Sequence, residues 1–202
     1  ELQEEVETQV TSGLCVEQLS AKRALELEPH INPEIVGAVW FEHDGVVDPP
    51  AMLRATRIAA EKAGATLREG INVVRLLRDG KQTRGVILDD GSKLEADVVV
   101  LAAGSWSSLV NDATLIDGEV QPIRGQIVEL NIGAPLQRGV LDGPGAYLSP
   151  RQDGRVLVGS TVEEVGFVRG VTAKGVHDLL SSAMRILPGL AGAQVTGAWS
   201  GF

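Results

Sequence analysis

The chain has 202 residues, 44% hydrophobic and 22% charged, with a formal net charge of −9, which suits a globular protein with one large core or two small ones. That acidic balance and an aromatic content of 3% argue against a nucleic-acid partner, which needs basic surface and stacking platforms. No apolar stretch approaches the roughly 20 residues of a membrane span and no signal peptide opens the chain. A single cysteine, Cys15, excludes an internal disulfide and suits a reducing, cytoplasmic setting.

Leu2, Val6 and Val10 sit at helical spacing, and that pattern ends near Gly13. Glu1 falls inside the pattern with no capping residue before it, and Phe202 ends the chain just past a strand-like segment. The expectation is therefore the middle part of a longer polypeptide. Ser20 is placed to cap a short helix that stops before Glu28-Pro29. Gly37 to Phe41 contains Val39, Trp40 and Phe41 and reads as a strand. His43-Asp44-Gly45 turns the chain toward Asp48-Pro49-Pro50, a strong helix start, because Asp48 can accept orphan amides while proline fills the first helical position. Met52, Ala55, Ile58, Ala59 and Ala63 then form one face, with Gly64 as the stop. Its small alanines predict close packing on a sheet.

Between Thr66 and Leu94 lie strand-like runs, Asn72 to Leu77 and Arg84 to Leu88, each followed by Asp-Gly (Asp79-Gly80, Asp90-Gly91). Type I′ turns centred on those pairs would give a three-strand antiparallel meander. Next comes A-D-V-V-V-L-A-A-G-S-W-S-S from Ala96 to Ser108. Val98 to Ala103 is apolar without alternation, which predicts a central parallel strand buried on both faces. Ala102, Ala103 and Gly104 would leave room at its carboxyl end, where open α/β sheets place ligands.

The second half changes texture. Arg124 to Leu130, Ala146 to Ser149 and Arg155 to Gly159 read as antiparallel strands joined by turns such as Asp142-Gly143-Pro144-Gly145. Thr172 can cap a helix with the stripe Val176, Leu179, Leu180, Ala183 and Leu187, closed by Pro188-Gly189. The fold class is α/β, α+β overall. The expected division is 1–46 and 111–202 in one domain, with 47–110 inserted as another.

Several segments occur in one order: Asp44-Gly-Val-Val-Asp48-Pro49, the valine run ending A-A-G-S-W-S, Gln121-Pro-Ile-Arg124-Gly125-Gln126, Tyr147-Leu-Ser-Pro150-Arg151, Val158-Gly159-Ser160-Thr161, and Trp199-Ser-Gly201. The series resembles the glycine oxidase and D-amino-acid oxidase family of FAD-dependent amine oxidases, and most of all the glycine oxidases linked to thiamine biosynthesis. The resemblance implies a partial FAD-binding α/β domain with a β-meander, interleaved with an antiparallel-sheet substrate domain. It also marks departures. The G-x-G-x-x-G unit that holds the FAD pyrophosphate at a helix N-terminus is not in the chain. Nor is the arginine that follows Trp-x-Gly in the family and pairs with the substrate carboxylate.

By that resemblance Val73, Ala103, Gly104 and Trp106 touch the cofactor, and Tyr147 and Val162 line the substrate pocket. All but Val162 have a plainer alternative: an ordinary strand valine at Val73, a tight turn at Ala103-Gly104, an interface plug at Trp106, and a half-buried packing tyrosine at Tyr147. Val162 stands where a larger apolar side chain is usual. Arg124 is open to cofactor or substrate contact or to bridging domains. No catalytic side chain is assigned, because the cofactor carries the chemistry, and His30, His43 and His177 show no metal-ligand spacing. The partners implied are a small amine or amino acid and either dioxygen or another electron acceptor. FAD is expected in the intact protein and not in this fragment alone; a homo-oligomer is left open.

Overall fold

The computed structural model describes residues 2–110, 120–133 and 139–202. The chain divides into two compact units, one of Glu1–Val47, Gly125–Val162 and Arg169–Gly201, the other of Asp48–Arg124, Glu163–Val168 and Phe202.

The first unit opens with helix α1 (Leu2–Thr11), strand β1 (Val16–Ser20), helix α2 (Ala21–Leu27) and strand β2 (Gly37–Phe41). β1 and β2 form an antiparallel pair with Val16 opposite Phe41 and Leu19 opposite Ala38. Ser20 caps α2 by accepting from the Arg23 N–H at 3.3 Å, as its hydroxyl type predicts. β1 was not legible in the sequence, since V-E-Q-L-S offers only two apolar residues and owes its extended form to its partner.

The second unit begins with α3 (Pro49–Lys62), where Asp48 Oδ1 accepts from the Ala51 N–H at 2.9 Å. β3 (Val73–Asp79), β4 (Gln82–Leu88) and β5 (Lys93–Glu95) follow as the antiparallel meander. Asp79 pairs with Gln82, so the two-residue loop is Gly80-Lys81, one position beyond the expected Asp79-Gly80 centre. Gly80, at φ +58°, supplies the positive φ that a tight hairpin requires at its first central position.

Two expectations fail in this unit. Val98 to Ala103 forms no strand, and Val98 and Val100 are 78% and 81% exposed. A parallel strand exists only through ladders to neighbours on both sides, and no strand among the described residues lies beside this run. Likewise α3 buries none of its residues, with Met52 and Ile58 more than half exposed. Its apolar face has no sheet to lie on among the described residues. A 3-10 turn (Gly104–Leu109) follows the run.

The chain then returns to the first unit through β6 (Gly125–Asn131), β7 (Leu141–Gly143), β8 (Ala146–Pro150), β9 (Arg155–Gly159), α4 (Ala173–Ile186), a second 3-10 turn (Pro188–Gly192) and β10 (Gln194–Gly201). The strands form one antiparallel sheet in the order β10-β6-β9-β8-β7. Side chains alternate between its faces. Val128, Leu130, Leu148, Val156 and Val158 face α4 and pack with Leu179, Ala183, Leu187 and Leu190 into the core of the unit. α4 is seated by two devices. Thr172 Oγ1 accepts from the Gly175 N–H at 3.0 Å. Gln126, fully buried on β6, accepts the Thr172 N–H at 2.7 Å and donates to Thr172 Oγ1 at 3.2 Å.

Candidate functional site

In the second unit the candidate residues gather at the turn after the valine run. Ala103 precedes the 3-10 turn, and its carbonyl accepts from the Trp106 N–H at 3.0 Å. Gly104 takes φ +53°, and a Cβ there would meet nothing within 4 Å. The glycine is thus required by its backbone angle and faces open space.

Trp106 leads to residues that sequence reasoning missed. Its ring lies 5.8 Å from Phe167, tilted by 32°, and 5.8 Å from Phe202, edge-on at 89°; Phe167 and Phe202 are themselves 5.7 Å apart. These are favourable aromatic separations. The one signal available was scarcity: the chain holds three phenylalanines, and two of them end up here.

Arg124 delivers Phe167. The guanidinium, buried at 5% exposure, donates from Nε and Nη2 to both oxygens of Glu163 at 3.1 and 3.0 Å, and from Nη1 to the Val168 carbonyl at 3.1 Å. The backbones of Arg124 and Glu163 also exchange two hydrogen bonds. The Glu163 hydrogen bond raises the arginine's pKa above its already high value, so its charge is fixed. Three of its five N–H groups are thus engaged by residues 163–168. Val73 opens β3, opposite Leu88, and is 39% exposed.

In the first unit Tyr147 lies in β8 opposite Gly159 of β9. Strand alternation puts it on the sheet face away from α4, together with Ile127, Leu157 and Trp199. Tyr147 is half-buried. Val162, three residues beyond β9, is 79% exposed. His30, His43 and His177 are all exposed. Among the described residues no cluster of histidine, cysteine, aspartate or glutamate is arranged to hold a metal ion, and no helix is long and apolar enough to cross a membrane.

The same unit holds a cavity of about 470 Å³ beside β1, β2 and α2, lined by Leu19, Leu27, Ile31, Trp40 and Leu141 among others. Glu28 is on its wall, 3% exposed, with neither carboxylate oxygen hydrogen-bonded. No candidate site residue lines this cavity.

Fit to a flavin nucleotide can be judged from the surfaces in the second unit. A flat apolar ring system needs small, open backbone and exposed apolar contacts. The neighbouring Gly104, with open space where a Cβ would stand, and the exposed Trp106 offer these. The residues therefore fit part of the group, while the described residues supply no glycine-rich helix start to cradle its pyrophosphate.

Known proteins resolve the family. The sequence profile described as FAD dependent oxidoreductase matches residues 1–202. A bifunctional protein ThiO/ThiG of Synechocystis sp. is 36% identical over 181 residues, 87% of this chain and 26% of that protein. A glycine oxidase of Geobacillus kaustophilus is 33% identical over 192 residues, 94% of this chain and 50% of the relative. The fold matches the crystal structure of glycine oxidase from Bacillus cereus with a TM-score of 0.87 and 26% identity, covering 97% of this chain and 55% of that one. The chain thus spans about half the length of these glycine oxidases and about a quarter of the bifunctional protein. With its interleaved units, meander and antiparallel sheet, the chain belongs to the FAD dependent oxidoreductase family, with glycine oxidases among its relatives.

Proposed function

We propose that the chain is part of an FAD-dependent enzyme that oxidises a small amine, glycine or a D-amino acid, to the imine. The observation that carries this reading is the 33% identity to a glycine oxidase across 94% of the chain. FAD, when bound, accepts the electron pair leaving the substrate's Cα–H bond. Ala103 and Gly104 offer it a surface with no side chain in the way, Trp106 an aromatic flank, and Val73 a strand-edge contact. Tyr147 hydrogen-bonds the substrate carboxylate through its phenol, and Val162 borders the pocket with a short side chain. These groups orient the amine and exclude water; none is asked to take a proton if the amine binds neutral.

The test is oxidation of glycine, sarcosine and D-alanine by the full gene product, read as peroxide and in parallel as reduction of an added electron acceptor. Turnover of one of them is expected; silence on every amine offered would defeat the reading. A dependence on an added acceptor in place of dioxygen would make the enzyme a dehydrogenase with the same site.

Taken alone, the 202-residue chain is proposed to hold no stoichiometric flavin. The exposed α3 face and the exposed Val98 and Val100 favour this, because they leave the cofactor side of the unit without a packed wall. A visible flavin spectrum after mixing with FAD and desalting would contradict it.

A further inference from the structure

We propose that Gly159 is a positioning residue, present to seat the phenol of Tyr147. This rests on the reading of Tyr147 as a substrate-lining residue. The two are cross-strand partners in the β8–β9 ladder, on the sheet face away from α4. A Cβ built on Gly159 would come 2.5 Å from Tyr147 Oη, 2.6 Å from Cζ and 3.1 Å from Cε1. The ring therefore does not stand off the sheet; its hydroxyl end crosses to the partner strand and occupies the space a side chain would take. Rings laid over a cross-strand glycine are a known way to hold both.

A left-handed backbone angle is not the reason for the glycine, since Gly159 is not among the glycines with positive φ. The requirement is space. Ordinary contact begins at 3.4 Å, so an alanine methyl must drive the hydroxyl back by the difference from 2.5 Å, 0.9 Å. A misplacement of about 1 Å at a substrate-orienting group can cost on the order of 100-fold in rate. Residue 159 thereby sets where the phenol oxygen sits, and through it how the substrate carboxylate is held.

The experiment is a cycle of Gly159→Ala, Tyr147→Phe and the double variant in the flavin-loaded full gene product. Gly159→Ala should lower kcat/KM for the preferred amine about 10- to 100-fold, chiefly through KM, with flavin content unchanged. Added to Tyr147→Phe it should change kcat/KM by less than about twofold, because the hydroxyl it acts through is gone. A normal kcat/KM in Gly159→Ala, or effects that multiply in the double variant, would overturn the proposal.

If Gly159→Ala does not fold, Tyr147→Ala should restore folding by removing the ring; no rescue overturns the seat. Should Tyr147→Phe itself leave every amine unaffected, the substrate-lining reading fails separately. The seat is then read directly. Tyr147 is the one tyrosine of these 202 residues; in the 3-fluorotyrosine-labelled gene product its fluorine resonance is assigned as the one that Tyr147→Phe removes, and Gly159→Ala must move it; an unmoved resonance refutes the seat.

Discussion

The seat of helix α4 makes a prediction whose sign reverses with context. Gly175 lies in the first turn of α4, and a Cβ there would come 2.6 Å from both Nε2 and Oε1 of Gln126 and 2.7 Å from Cδ. A flexible side chain could ordinarily step aside. This one is fully buried and holds Thr172 by two hydrogen bonds. Gly175→Ala therefore has to break them, at about 1 kcal/mol net each and more if the Thr172 N–H is left unpaired, roughly 3 kcal/mol in all. Better helix propensity returns up to about 1 kcal/mol. The net expectation is a loss of about 2 kcal/mol. In a Gln126→Ala background the space is vacated and the hydrogen bonds are already gone. There Gly175→Ala keeps only its propensity gain and stabilises by about 0.5 to 1 kcal/mol. Urea unfolding followed by circular dichroism on all four proteins reads both values, with the slope m checked for constancy. The same sign and size in both backgrounds would show that the glycine is there for the helix and not for the glutamine.

Three further outcomes are expected. Glu28→Met removes a buried carboxyl group with no hydrogen-bond partner on either oxygen among the described residues and should raise stability by about 1 to 3 kcal/mol; a lower urea midpoint would show that the group is satisfied. Arg155 donates to Asp153 Oδ2 at 2.9 Å from its side chain and to Oδ1 at 3.2 Å from its backbone, which holds Asp153 below its ordinary 3.8. Its folded value lies under its unfolded one, so the stabilisation is complete above about pH 4 and is lost as pH falls through the folded value. Asp153→Asn should lower Tm slightly at neutral pH and leave it little changed in acid, so that the acid limb of the Tm profile flattens; an unchanged slope would mean that the Arg155 contacts contribute nothing. Arg124→Lys keeps the charge but not the fork that grips Glu163; faster hydrogen exchange over residues 163–168 and a moved Trp106 indole resonance are expected, and an unmoved resonance would mean that Phe167 is placed by something else.

What the sequence disclosed divides by the range of the interaction. Ser20, Asp48 and Thr172 cap helices because a short oxygen-bearing side chain satisfies amides two or three residues away, and that is written locally. The strands β6, β8 and β9 were legible from the turns that join them, such as Asp142-Gly143-Pro144-Gly145, while the packing of Val128, Leu130, Leu148, Val156 and Val158 against α4 belongs to the fold. The aromatic group was not legible, because Trp106, Phe167 and Phe202 stand 61 and 35 residues apart in sequence and meet only in the folded chain, where Arg124 holds the segment that carries Phe167. The candidate substrate residue Tyr147 was legible as a type in a motif, whereas its posture over Gly159 depends on a register that no local pattern specifies.

The valine run shows how far such reading extends. Composition at Val98 to Ala103 expresses a demand for burial on two faces; it does not supply the neighbours. Where β3 and β4 find each other through a two-residue loop, pairing follows from the local turn, and the strands form. Where the partners of a parallel strand must come through long crossovers, the same apolar side chains remain exposed unless those crossovers are at hand. The described residues give this segment no ladder, and its backbone stays outside any strand. Gly104 keeps its positive φ, and Ala103 its carbonyl bond to Trp106, in the absence of that ladder. The turn that faces the proposed cofactor is therefore held by its own backbone and by the aromatic residues around Trp106, not by the strand that leads into it.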